Sequence, residues 1–208
     1  TLKFPKERIS VFYQSSGMHG KNFSSLPRSE TSPYFLCVGS LQPHKNVAGV
    51  LTAWSLSELH KKDFKLIVIG KKQENFQSLN LDPRLLETSG IIFTGYVTDE
   101  MLAGYYHHAT GFLFPSFHEG FGLPIIEAYE MECPVITSRA SCLPEVAGNA
   151  ALLIDPTRPE EIAERMKELS ENSGLRQDLI TRGKERAKIF TWENAGRQMF
   201  NLLQKLNS

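Results

Sequence analysis

The sequence predicts an α/β fold, a doubly wound parallel sheet of the Rossmann-like kind, on three observations. Apolar runs such as Tyr34–Val38 and Lys65–Ile69 are continuous rather than alternating, as in strands covered on both faces. Both runs stop directly on a glycine, Gly39 and Gly70. Stretches of helical periodicity separate the runs, and strands alternating with helices build a parallel sheet through right-handed crossovers.

The elements follow in order. Residues 8–13 read as a short extended segment, with Ile9, Val11 and Tyr13 alternating, and the Ser-, Gly- and Lys-rich residues 14–33 read as a polar linker. The first strand, Tyr34–Val38, leads through a loop into a helix over 46–60 with Asn46 as its N-cap. Strands are expected at Lys65–Ile69, 91–94, 111–115, 134–138 and 150–154. A helix over 98–108 starts at Thr98, with Asp99 and Glu100 in the first turn where the helix dipole favours them. A short helix over 124–131 separates the fourth and fifth strands. Amphipathic helices over 159–172 and 175–189 follow the sixth, and a last one over 192–206 opens at Thr191 with Asn194 at its third position.

Composition narrows the function classes. Across 208 residues, 23 Lys and Arg balance 23 Asp and Glu, so no basic footprint for nucleic acid or an acidic membrane stands out. No apolar run approaches the roughly 20 residues of a membrane span. Cys37 and Cys133 lie in or beside strand-like runs and Cys142 in a loop, without a C-x-x-C partner, as expected of a reducing, cytoplasmic setting. The chain opens on Thr1 and its first methionine is Met18, as expected of a piece of a longer protein.

In open α/β sheets ligands bind at the carboxyl ends of the strands, which directs attention to loops 39–45, 70–75, 95–98 and 116–123. The last reads Ser116-Phe117-His118-Glu119-Gly120-Phe121-Gly122-Leu123 before Pro124, a residue suited to the first turn of a helix. Gly120 and Gly122 permit close backbone approach. The amides of Phe121, Gly122 and Leu123 then stand at the positive end of a helix, a site for phosphate. Glu119 and Glu127 flank the turn with seven residues between them. They would repel a phosphate, so they suit the hydroxyls of two sugars instead. A glutamate early in a helix also serves as a dipole partner, and Gly-x-Gly turns are common, so both readings stand at this point.

A resemblance adds to this. Glu119 to Glu127 resembles the E-x7-E motif of glycosyltransferase family 4, and agreement extends over Phe114 to Pro156, over Val38-Gly39-Ser40-Leu41-Gln42-Pro43-His44-Lys45-Asn46 and over the segment from Gly95 to Ala109. It covers roughly residue 34 to the C-terminus. The resemblance implies the donor-binding, C-terminal half of a two-domain GT-B enzyme that transfers a hexose with retention from a nucleotide-diphosphate sugar. It implies Glu119 at the transferred sugar and Glu127 on the ribose hydroxyls. Lys45, Gly39, Ser40, Phe121, Gly122 and Leu123 would lie at the diphosphate, with backbone at Tyr96 and Val97 facing the base. No Asp-x-Asp metal motif occurs, so no metal and no cofactor is expected, and positive groups stand in for a divalent ion.

One departure concerns Ser40, where many family members carry a second phosphate-binding arginine; the resemblance then leaves two readings, a weaker phosphate clamp or one that draws on Lys71 or Lys72. The Leu143–Gly148 stretch resembles members that use GDP-mannose, with UDP-sugars as the alternative. By the same resemblance, residues 1–33 are an interdomain connection, 34–190 the nucleotide-sugar-binding domain, and 191–208 a helix returning toward an N-terminal domain that binds the glycan or lipid-linked acceptor. The isolated chain is expected to bind nucleotide but to transfer sugar poorly. A sugar-nucleotide epimerase or phosphorylase on the same architecture, or a non-catalytic nucleotide-binding domain, are the alternative readings.

Overall fold

A computed structural model describes residues 5, 8–18, 26–39, 42–70 and 88–206. Among them, six strands form one parallel sheet: β1 (Tyr34–Val38), β2 (Lys65–Ile69), β3 (Ile91–Gly95), β4 (Gly111–Phe114), β5 (Val135–Ser138) and β6 (Ala151–Ile154). Their order across the sheet is β3-β2-β1-β4-β5-β6. The direction of winding reverses between β1 and β4, which pair with Phe35 opposite Gly111 and Cys37 opposite Leu113. A crevice at the carboxyl ends of these two strands is where such sheets bind ligands.

Strand periodicity divides the core in two. Leu36, Phe112 and Phe114 face one layer, made by α2 (Asp99–His108) and α3 (Leu123–Glu130) through Tyr106, Ile125, Ile126 and Tyr129. Phe35, Cys37, Leu113 and Ile136 face the other, made by α1 (Val47–Ser57) and α5 (Pro159–Glu171) through Leu51, Trp54, Ile162 and Met166. Between these helices in sequence lies α4 (Leu143–Ala147), and α6 (Ser173–Ala187) and α7 (Trp192–Leu206) complete the chain.

The α/β class and the alternation are as expected, and the boundaries differ for local reasons. The first helix stops at Ser57, not His60. The Ser57 hydroxyl donates to the Trp54 carbonyl and accepts from the Leu59 amide, and Glu58 turns to φ +55°, so the chain continues as a 3-10 turn over Leu59–Lys62. The sixth helix starts at Ser173 because the Asn172 side chain accepts from the Leu175 amide and caps it. Helix α3 begins at Leu123, which puts Pro124 at the second position rather than the first. Helix α4 was not foreseen as an element. The described part of residues 14–33 lies against the domain: Met18 is buried, and a Cβ at Gly104 of α2 would come within 2.3 Å of the Pro27 carbonyl oxygen.

Candidate functional site

At the end of β1, Gly39 takes φ +148° and its amide donates to the Ile69 carbonyl at 2.9 Å. The aliphatic stem of Lys45 passes over this glycine, with Cδ 3.8 Å from where a Cβ would stand. Lys45 Nζ lies over the Phe114 ring, 5.4 Å from the centroid, and 2.7 Å from Glu119 Oε1. Both side chains are mostly covered, with 21% and 13% of their surface exposed. Ser40, Lys71 and Lys72 lie outside the described residues.

The end of β4 supplies Glu119. Backbone, not rotamer preference alone, fixes it: the Ser141 hydroxyl donates to the Glu119 carbonyl at 2.8 Å, and the Cys142 thiol donates to the carbonyls of Glu119 and Phe121, both at 3.3 Å. Ser141 reaches there by turning to φ +57°. The Phe121 ring is anchored by Tyr13 and Phe190, with centroids 6.1 and 6.0 Å away. Gly122 then caps α3 at φ +107°, ψ +39°, and a Cβ there would meet Leu143 Cδ2 at 2.8 Å. No side chain caps this end; Pro124 has no N–H and the Ile125 amide donates to the Gly122 carbonyl at 3.0 Å, so the amides of Gly122 and Leu123 present the positive end of the helix.

Glu127 sits in the second turn of α3, where Tyr106 Oη donates to its Oε2 at 3.1 Å. Burial raises its carboxyl above the usual carboxylate range; the Tyr106 hydrogen bond opposes that shift, while Glu130 and Asp99 add to it. No hydrogen bond or ion pair among the described residues joins Glu127 to Lys45 or Glu119. Tyr96, 82% exposed, follows Gly95 at the end of β3, and Val97 packs on the core. So Lys45 and Glu119 meet directly, the Gly122 turn follows Glu119 in sequence, and Glu127 lies on α3 while Tyr96 and Val97 follow β3.

Sequence reasoning missed Ser141, Cys142 and Tyr13. A signal for the first two existed: Pro144 and Glu145 followed by Gly148 spell a short helix, which makes residues 139–142 a tight connection facing the glycine turn. Tyr13 Oη donates to Glu145 Oε1 at 2.7 Å, and together with Phe121 and Cys142 these two side chains line a cavity of about 290 Å³ behind the turn. Among the described residues, no group of three or more metal-ligating side chains gathers, and no helix is long and apolar enough to cross a membrane.

Comparison with known proteins gives the family and the fold. The family described as glycosyl transferases group 1 matches residues 19–186. O-antigen chain mannosyltransferase B of Escherichia coli is 36% identical over 175 residues, which are 83% of this chain and 46% of that protein. Among solved structures, sucrose-phosphate synthase from Thermosynechococcus elongatus superposes with a TM-score of 0.72 at 25% identity, over 84% of this chain and 45% of that one. A glycosyltransferase from Rickettsia africae shares the fold, with a TM-score of 0.82 at 17% identity over 99% and 59% of the two chains. The chain thus spans about half the length of these three proteins. With its family matched over most of the sequence, this chain belongs to the group 1 glycosyltransferases.

Proposed function

We propose that this chain is the donor-binding domain of a retaining hexosyltransferase that uses a nucleotide-diphosphate sugar. One observation carries the reading: at the switch point Lys45 from the β1 loop is paired with Glu119 from the β4 loop, which runs on into the uncapped N-terminus of α3 at Gly122. When a nucleoside diphosphate leaves a sugar, negative charge builds on the distal phosphate. A fixed ammonium and first-turn amides stabilise that charge as it forms, with no metal ion required. Glu119 then serves the sugar, whose reacting carbon becomes oxocarbenium-like and is favoured by a nearby carboxylate. Glu127, held by Tyr106, accepts from the ribose hydroxyls; backbone at Tyr96 and Val97 faces the base, and Gly39 and Ser40 line the phosphates.

Mannose, carried on GDP, is the favoured donor, because the Escherichia coli relative is named a mannosyltransferase; a UDP-sugar is the alternative. The acceptor, a glycan or a lipid-linked sugar, belongs to the portion of the relatives that this chain does not span. Residues 1–33 are the connection to that portion and α7 the helix that returns to it, so the chain alone binds donor but transfers little. The three thiols, without a disulfide among the described residues, support a cytoplasmic setting. Calorimetric titration of the chain with GDP, UDP and ADP is the test. Saturable binding of one of them, weakened by Lys45→Ala and by Glu127→Ala, supports the assignment, and binding of none removes it.

A further inference from the structure

We infer that Asn46 is a positioning residue that sets Lys45 against Glu119 by tying together the ends of β1, β4 and β6; the functional weight of this rests on the reading of Lys45 as the phosphate-binding cation. Asn46 is 6% exposed and stands at φ +56°, immediately after the 3-10 turn Pro43–Lys45. Its side chain makes three hydrogen bonds. Oδ1 accepts from the Gly49 amide at 3.2 Å, while Nδ2 donates to the Pro115 carbonyl at 3.1 Å and to the Pro156 carbonyl at 2.7 Å. Capping α1 needs only the first. The other two leave the helix and reach the chain just beyond β4 and just beyond β6, strands separated by β5.

A second bond fastens the same turn at its other side: the Phe117 amide donates to the His44 carbonyl at 2.8 Å. The turn that carries Lys45 is thus stitched to the segment Pro115–Phe117 that leads into Glu119. Few residues could take the place of Asn46. It combines tolerance of a left-handed backbone with one acceptor and two donors on a short planar head. Aspartate keeps the acceptor and loses both donors, and glycine keeps the backbone and loses all three. Gly49 makes the room: a Cβ there would lie 2.5 Å from Asn46 Oδ1.

Two measurements on the chain test this. The first is competitive amine labelling, read by peptide mass spectrometry as the rate at Lys45 relative to exposed Lys188. Asn46→Gly is expected to raise that ratio roughly fivefold, the scale of one freed charge-assisted contact at a partly covered site. Leu169→Ala is the destabilised control, since Leu169 packs against Gly111 at the far end of β4, and it leaves the ratio unchanged. Asn46→Asp is the second variant should Asn46→Gly not fold. An unchanged Lys45 ratio in a folded Asn46 variant overturns the inference. The second measurement is a GDP affinity cycle: Asn46→Gly weakens binding about tenfold alone and hardly at all in a Lys45→Ala background, because it acts through that lysine. Equal losses in both backgrounds also overturn it. Failure of the unsubstituted chain to bind GDP, UDP or ADP would remove the donor-site reading, while the labelling result still decides the role of Asn46.

Discussion

Lys45 Nζ and Glu119 Oε1, brought from loops 74 residues apart in sequence, form a 2.7 Å ion pair over the Phe114 ring. The cation assigned to the donor phosphates is therefore already neutralised by the carboxylate assigned to the sugar. Two consequences of opposite sign follow from removing the carboxylate charge. Glu119→Gln frees Lys45 and takes a negative charge from beside the phosphates, so GDP binds a few-fold more tightly, on the order of one partly screened ion pair. On the proposed reading, a longer protein that carries this domain and transfers sugar should lose about a hundredfold or more in transfer by the same change, because the charge would be taken from the reacting carbon. Calorimetry on the chain and turnover on the parent read the two effects separately. Lys45→Ala, by contrast, weakens GDP about ten- to a hundredfold, the loss expected of a charge-assisted phosphate contact.

Glu127 gives a pH signature. Its carboxyl is raised by burial, and in the proposed role on the ribose hydroxyls the ionised form is the better acceptor. Nucleotide affinity is full above this raised folded-state value and is lost as pH falls through it, starting at higher pH than an ordinary glutamate would give. The Tyr106 hydrogen bond works against the raise, so Tyr106→Phe moves the acid limb of the affinity profile further up in pH. Folding carries the opposite sign. The native state holds the Glu127 proton more tightly than the unfolded chain, so this group costs stability as pH rises from the unfolded to the folded value. Glu127→Gln therefore stabilises the chain at neutral pH and loses that advantage in acid, which thermal melts across pH measure.

How legible this was depends on the kind of interaction. The strands were legible because a sheet covered on both faces demands continuous apolar runs, and Tyr34–Val38 and Lys65–Ile69 have them. The caps at Thr98, Asn46 and Thr191 were legible because each is a local bond, from Met101, Gly49 and Asn194 respectively. What escaped was non-local. Nothing in residues 139–142 alone says that Ser141 and Cys142 hold the Glu119 backbone. Nothing around Asn46 announces that its amide reaches Pro156, 110 residues away. The reversal of winding between β1 and β4, which makes Lys45 and Glu119 neighbours, was expected as a kind of place but not located by pattern.

Gly122 tests the turn itself. At φ +107°, ψ +39° an L-residue is strained, and its Cβ would press on Leu143 Cδ2 at 2.8 Å. Gly122→Ala is expected to destabilise the chain by about 1–3 kcal/mol and to weaken GDP as the first turn of α3 shifts. Urea denaturation gives the first effect and titration the second. Wild-type stability in the alanine variant would mean that the turn adopts another conformation in solution.

Helix α7 tests the proposed division of labour. None of its residues is buried, yet Trp192, Met199, Leu203 and Leu206 recur at helical spacing and stand exposed together with Phe200. An apolar stripe of this size has a partner more often than not in a folded assembly. If α7 returns to the portion of the relatives that this chain lacks, Phe200→Glu and Leu203→Glu act only where that portion is present. In the 208-residue chain each should shift stability by less than about 0.5 kcal/mol, as for surface positions, and leave GDP affinity unchanged. In the full-length protein the pair should lower the melting temperature and reduce transfer, because the two halves no longer hold the donor and acceptor in register. Equal effects in both proteins would show that α7 serves this domain alone, and the assignment of residues 191–208 would then be withdrawn.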